Sequence, residues 1–294
     1  MKSRVVKING VNLFEVDGKI IDSLAFKSFR PTYKNVKDFY DAGIRIFHVY
    51  CSGLASGLKV PYSLFGETWF GDHVYNFDNL DKQIEFFKNT APEGYVFINV
   101  HLDTRPWWLE QNPGNPNSFT HLSEVACNEK WKKDTSDYLK ALIRHVEEKY
   151  NDLVIGYFIL GGYTTEWFSE FDHEESHPNK LKAYREYLKN ENIDLPSKEM
   201  LERPKDEIFL KENISEVINY RKFNNNLIAD TVLYFAHEAQ KEIRHTKILG
   251  LFFGYILELL YERMWEAGHI EFDKINRSPD IDLLATPSSY QFRA

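Results

Sequence analysis

Val154-Ile155-Gly156-Tyr157-Phe158-Ile159-Leu160-Gly161-Gly162-Tyr163-Thr164-Thr165-Glu166-Trp167 is the stretch on which the reading of this chain turns. An apolar run of strand length with no polar alternation predicts a fully buried strand. The two glycines after it allow a sharp backbone turn where the strand ends. Glu166 then stands just past the carboxyl end of that strand, beside the indole of Trp167. An apolar neighbour disfavours the charged form of a carboxylate and raises its pKa, which is the tuning a carboxylic acid needs to donate a proton near neutral pH. The plainer alternative is a loop glutamate after a core strand.

Working outward, apolar runs of strand length alternate with amphipathic segments. Lys19–Phe26, Ile44–Tyr50, Tyr95–Leu102, Asp152–Leu160, Ile248–Ile256 and Asp280–Ala285 read as six strands. Between them, Asn35–Ala42, Leu80–Asn89, Lys130–Tyr150 and Phe223–Glu242 read as helices, and Leu257–Trp265 as a further helical candidate. In Lys130–Tyr150 the residues Trp131, Tyr138, Leu139, Leu142, Ile143 and Val146 recur at helical spacing and define a buried face. Strand–helix alternation of this kind predicts a parallel sheet with helices outside it. Before it, Val11–Val16 and the Asp17-Gly18 hairpin signal predict a small β-cap over residues 1–18, leaving 19–294 for the main domain, with a charged helical insertion around 169–220. No glycine-rich phosphate loop follows the first strand, which disfavours a dinucleotide-binding sheet. Aromatic and polar groups gather after the second, third, fourth and sixth strands, and chemistry at strand carboxyl ends is the habit of a (β/α)₈ barrel. The expected fold is therefore α/β of the TIM-barrel type with about six βα units, incomplete at its C-terminal side.

The composition narrows the partners. The chain has 294 residues, a net charge of −8 and 15% aromatic residues. An acidic balance argues against nucleic acid and anionic membranes, and no apolar run reaches the roughly eighteen residues of a membrane span. The basic N-terminus lacks the apolar stretch of a signal peptide. Cys51 and Cys127 make neither a disulfide framework nor a metal-ligand spacing, and both are expected to be reduced, with a cytoplasmic location. His73, His121 and His173 are irregularly spaced and suggest no metal site. No Gly-x-Ser-x-Gly elbow supports a serine hydrolase. Sugar faces stack on aromatic rings, so the abundance of Tyr, Phe and Trp suits carbohydrate as well as a well-filled core.

The segments HLDTRPWW (101–108), GYFILGGYTTEWF (156–168), LGLFFGYI (249–256) and SPDIDLLATPSSYQFR (278–293) resemble the catalytic barrels of clan A glycoside hydrolases, nearest to the family 42 β-galactosidase type. The resemblance spans roughly residues 20–294. It implies retaining hydrolysis of a terminal β-linked sugar without a cofactor, with an acid/base glutamate after the fourth strand, where Glu166 stands. It also implies a nucleophilic glutamate after a seventh strand, which by the count above lies beyond Ala294. Thr165 occupies the position of the family's asparagine before the acid/base residue.

Each remaining candidate has a functional and a structural reading. Glu258 is the in-chain alternative for the nucleophile, or else a first-turn helix residue facing the dipole. Trp107 and Trp108 would stack a sugar ring, with one of the two buried. His101 and Asp103 lie two apart on a strand and share a face, so they would meet substrate hydroxyls or pair with each other. Arg105 reads as an ion-pairing structural residue, and Glu67 as a solvated loop glutamate. Tyr163 and Trp167 flank Glu166. Tyr290, by the family pattern, would hydrogen-bond the nucleophile. Two alternatives stand beside the hydrolase: a degenerate or non-catalytic carbohydrate-binding barrel, and a sugar isomerase using Glu166 with His101. Open edges on a six-stranded barrel predict either a homo-oligomer across the missing sector or a rearranged chain end covering it.

Overall fold

The computed structural model describes residues 1–55, 59–162, 165–168, 178–201, 214–255 and 268–286. Three short strands open the chain: β1 (Ser3–Ile8), β2 (Val11–Val16) and β3 (Lys19–Ile21). They form an antiparallel sheet. Its turns are Asn9-Gly10 and Asp17-Gly18, all four with positive φ (51, 84, 46 and 81°), the conformation that matches the right-handed twist of tight hairpins. The strand expected over Lys19–Phe26 is thus divided. Lys19–Ile21 stays with the cap, and only β4 (Ala25–Phe26) enters the main sheet.

That sheet continues with β5 (Ile46–Tyr50), then, past the small antiparallel pair β6 (Trp69–Gly71) and β7 (Val74–Tyr75), with β8 (Tyr95–His101), β9 (Val154–Leu160), β10 (Ile248–Phe252) and β11 (Leu283–Ala285). Its six strands lie in the order β11-β10-β9-β8-β5-β4, and every pair is parallel. Neighbours in the chain are neighbours in the sheet, as in a (β/α) barrel, and six strands are present among the described residues where a closed barrel has eight. The sheet is curled: Lys27, one residue past β4, lies 3.6 Å from the ring centroid of Phe252 at the end of β10, although three strands separate the two in sheet order.

The strands are apolar throughout because both faces are covered. Ile46, Tyr50, Phe97, Ile155, Phe158, Leu160 and Ile248 cluster on the inner face with Phe14 and Val16 of the cap. Phe47, Val49, Val96, Ile98, Val100, Tyr157, Ile159, Leu249 and Leu251 face the helices. The outer layer includes α1 (Tyr33–Asp41), α2 (Asp78–Thr90), α3 (Pro106–Gln111), α4 (Leu122–Ala126), α5 (Glu129–Tyr150), α6 (Pro178–Leu188), α7 (Lys198–Leu201), α8 (Ile214–Ile243) and α9 (Phe272–Asn276). All six residues read from the α5 periodicity are buried. Asn128 starts that helix by accepting from the Trp131 N–H at 3.1 Å, a side-chain cap of the usual kind. The charged stretch around 169–220 is more than a solvated face. Its described part builds a small core of Tyr184, Leu201, Tyr220 and Phe223, and buried Lys180 pairs with Glu124 at 3.3 Å.

The cap closes the bottom of the barrel. Ser3 Oγ donates to the Ile155 carbonyl and accepts from the Ile248 N–H at 3.2 Å, and the Phe14 ring meets Phe97 edge-on at 5.8 Å. A bulge between β8 and β9 pairs Phe97 with Gly156 where Val96 pairs with Val154. Glycine is required there, since a Cβ would stand 2.2 Å from the Ile248 carbonyl oxygen and 2.6 Å from the Phe97 ring. Between the outer strands β4 and β11 opens a cavity of about 560 Å³, lined by Phe14, His48, Phe97, Phe158, Leu283 and others. Cys51 and Cys127 form no disulfide. No helix among the described residues is long and apolar enough to cross a membrane.

Candidate active site

The carboxyl ends of the strands bring together Lys27 after β4, Tyr50 on β5, His101 on β8, Glu166 after β9 and Phe252 on β10. Glu166 is half-buried. It sits between two residues of positive φ, Thr165 at 84° and Trp167 at 59°. A β-branched threonine is unfavourable in that region, and such strain persists only where surrounding contacts hold it. Three contacts do so. The Trp167 N–H donates to the Gly161 carbonyl at 2.7 Å and the Thr165 N–H to the Gly162 carbonyl at 3.2 Å. His269 Nε2 donates to the Glu166 carbonyl at 2.7 Å.

His269 carried no signal in the sequence. It lies in the 3₁₀ turn Gly268–Glu271, is fully buried and stacks on Phe253 at 4.3 Å and 9°. Its Nδ1 accepts from the N–H groups of Gly254 and Tyr255, both at 3.0 Å. This set of partners assigns the neutral Nε2–H tautomer, and burial pushes the pKa down to about 4.

Asp103 braces the same loop from the other side. Its Oδ1 accepts from Ser118 Oγ at 2.8 Å and from the Gly162 N–H at 2.9 Å, while burial lifts its pKa to about 6. It makes no pair with His101. The His101 ring packs on Tyr62 at 4.0 Å and stands 5.8 Å from Tyr50. Neither of its ring nitrogens has a hydrogen-bond partner among the described residues, and the same holds for the Tyr50 hydroxyl. Burial, with the charges of Arg105 and Lys27 adding to it, holds His101 well below the usual imidazole range.

Lys27 was not singled out from the sequence. Its side chain is exposed to solvent, yet the density of protein around it lowers its pKa to about 8 against the opposing pull of Glu166. It lies over the Phe252 face at 3.6 Å and 6.0 Å from the Tyr50 ring centroid. Its ammonium donates no hydrogen bond to any described residue and forms no ion pair with one within 4 Å. Its charge also depresses His48, whose pKa falls to about 3, mainly through burial.

The tryptophans lie elsewhere. Trp108 is wholly buried and donates to Asp134 on α5 at 2.9 Å. Trp107 is half-buried and packs on Trp69 at 5.2 Å, donating to the Trp69 carbonyl at 3.2 Å. Trp167 is wholly buried in the sheet–helix layer, near Phe235, and donates to the Ile159 carbonyl at 3.2 Å. Thus the group whose charge meets Glu166 is Lys27, while the neighbouring indole anchors the loop in the outer core. Arg105 has the structural role read from its surroundings. It is buried, donates to the carbonyls of Asp103 and His101, and pairs with Glu67 at 3.2 Å. Glu67 is correspondingly not a solvated loop residue. It also accepts from Ser52, Gly53, Thr68 and Trp69. Tyr163, Glu258 and Tyr290 lie outside the described residues.

No protein-family model matches this sequence, and no curated protein matches it. Solved structures match its fold. The catalytic domain of a β-amylase from Paenibacillus polymyxa superposes with a TM-score of 0.60 at 8% identity, covering 89% of this chain and 75% of that one. A β-galactosidase from Bacillus circulans sp. alkalophilus gives 0.58 at 12% identity, over 92% of this chain and 40% of that one. A β-galactosidase from the psychrophilic Marinomonas ef1 gives 0.58 at 9%, over 90% and 40%. The chain has the barrel fold of these glycoside hydrolases, and it spans three quarters of the amylase domain but two fifths of each galactosidase chain.

Proposed function

We propose that this chain carries the acid/base half of a retaining β-glycosidase active site, acting on a terminal sugar in the mouth of the curled sheet. The observation that carries this reading is the presentation of Glu166. It follows the fourth strand of the parallel sheet, half-buried, on a strained turn held by Gly161, Gly162 and His269. A loop built so tightly around one carboxylate fits positioning better than chance exposure. In the reaction Glu166 protonates the glycosidic oxygen as the bond breaks and then, as carboxylate, takes a proton from the water that releases the sugar. A second carboxylate about 5–5.5 Å away must act as nucleophile in retaining chemistry, and Glu258 stays the in-chain candidate for it.

A panel of 4-nitrophenyl β-glycosides tests the reading. Glu166→Gln should cut turnover by roughly 10²- to 10⁴-fold, the usual contribution of general acid–base catalysis. Activity untouched by that change excludes the assignment. The cation beside Glu166 favours one second reading, a binding barrel in which the carboxylate stays ionised and holds a ligand. That reading predicts sugar binding without nitrophenol release.

A further inference from the structure

Resting on that glycosidase reading, we propose that the sugar accepted here bears an anionic substituent, a carboxylate or a sulfate, and that Lys27 is the residue that receives it. The exposed ammonium stands at the strand ends over the Phe252 ring and donates no hydrogen bond to, and forms no ion pair with, any described residue, so its N–H donors are open to a ligand. Behind it lie polar atoms closed to solvent and without partners among the described residues: the Tyr50 hydroxyl and both ring nitrogens of His101. An ammonium without a partner beside an aromatic face is a donor for a ligand.

The charge count selects the kind of ligand. A sugar docking against the ammonium displaces its water, and a cation stripped of water needs a counter-charge. Among the described residues Lys27 has one carboxylate acting on its charge, Glu166. If Glu166 supplied the counter-charge it would be held ionised and could not give a proton to the leaving oxygen. A neutral sugar leaves that conflict in place. An anionic group on the sugar removes it by neutralising Lys27 and releasing Glu166 to bind a proton. The ligand itself then completes the acid. His48 and His101 offer no competing cation, because burial disfavours the charged form of both rings.

The experiment compares 4-nitrophenyl β-D-galactopyranoside with the corresponding β-D-galacturonide and 6-sulfate, using wild type, Lys27→Met and Lys27→Arg. The wild type should favour one of the anionic glycosides in kcat/KM by roughly tenfold or more, the worth of one charge-assisted contact. Lys27→Met should bring that ratio toward one, and Lys27→Arg should keep most of it. Which of the two anionic arms responds separates a carboxylate from a sulfate. Glu166-dependent cleavage of the neutral glycoside with no anionic preference overturns the inference and leaves the glycosidase reading standing. If wild type cleaves none of the three, the glycosidase reading fails. Calorimetry with methyl β-D-galacturonide and methyl β-D-galactoside then decides this inference alone: it stands if only the uronide binds and Lys27→Met abolishes the binding, and falls otherwise.

Discussion

His269 grips the backbone of Glu166 and the backbone of Gly254 and Tyr255 with the two nitrogens of one buried ring, tying the turn after β9 to the turn after β10. The ring is neutral because the two N–H groups at Nδ1 require an acceptor there.

Replacing His269 by Phe keeps a ring stacked on Phe253 and removes all three hydrogen bonds. A buried N–H at Tyr255, a part-buried N–H at Gly254 and a part-buried carbonyl at Glu166 lose their partner, which should cost about 2–4 kcal/mol at roughly 1–3 kcal/mol for an unsatisfied buried group. Urea unfolding reads this as a lower midpoint with unchanged slope. A loss under about 0.5 kcal/mol means that the ring does not hold the turn.

Stability should fall on acidification from pH 7 to pH 5. His48 and His269 have native pKa values of about 3 and 4, and His101 lies well below its usual 6.5. Below pH 6.5 the unfolded chain takes up protons that these buried rings refuse, so their contribution is complete above that value and is lost as pH drops toward the native pKa. Asp103 acts in the opposite sense. Its native pKa of about 6 lies above the usual 3.8, so its contribution is full below 3.8 and lost as pH rises through 6. Burial raises Asp282 in the same sense as Asp103, but three imidazoles outweigh two carboxyls, and the urea midpoint should be lower at pH 5 than at pH 7. An equal or higher midpoint at pH 5 contradicts the burial of these rings.

Lys27 should titrate near pH 8 while solvated lysines stay near 10.5. Reductive ¹³C-methylation and NMR resolve such a lysine by its own titration curve. Glu166 raises the Lys27 pKa, so Glu166→Gln should shift that curve to lower pH. No shift means that the two side chains do not share the hollow.

Gly156→Ala should disable the fold. Its methyl group would meet the Ile248 carbonyl oxygen at 2.2 Å and the Phe97 ring at 2.6 Å, both fixed in the sheet. Overpacking of a rigid core costs about 1–3 kcal/mol or more. Collapse of the thermal transition, or insoluble protein, is the expected result, and a normal melting temperature is the contrary one.

Much of the barrel was legible in the chain because its strands are buried on both faces and its helices on one. Unbroken apolar runs such as Val154–Leu160 and the heptad-like stripe of Lys130–Tyr150 carry those two environments directly. Strand ends were read too long at Lys19–Phe26 because Asp22 and Ser23 interrupt the run where the chain leaves one sheet for another. Within the site, Glu166 was marked by the glycines ahead of it. Lys27 had a signal that went unread: a lone cation directly after the first barrel strand. His269 had none, since a 3₁₀ turn 103 residues from Glu166 has no periodicity to betray it. The tryptophans misled for a physical reason. Indoles next to a catalytic-looking segment are equally good fillers for the broad gap between sheet and helices, and Trp108 and Trp167 are used that way.

The serine that bridges β9 and β10 at the base of the molecule lies 245 residues before one of its partners. In a chain made from its N-terminus, the hairpin bearing Phe14 and Val16 is synthesised before the strands that seat it. Until Ile248 leaves the ribosome, that greasy plug has a socket short of its last strand. Slow elongation should therefore prolong its vulnerability to chaperones and proteases, and moving the hairpin by circular permutation to follow β10 should shorten it.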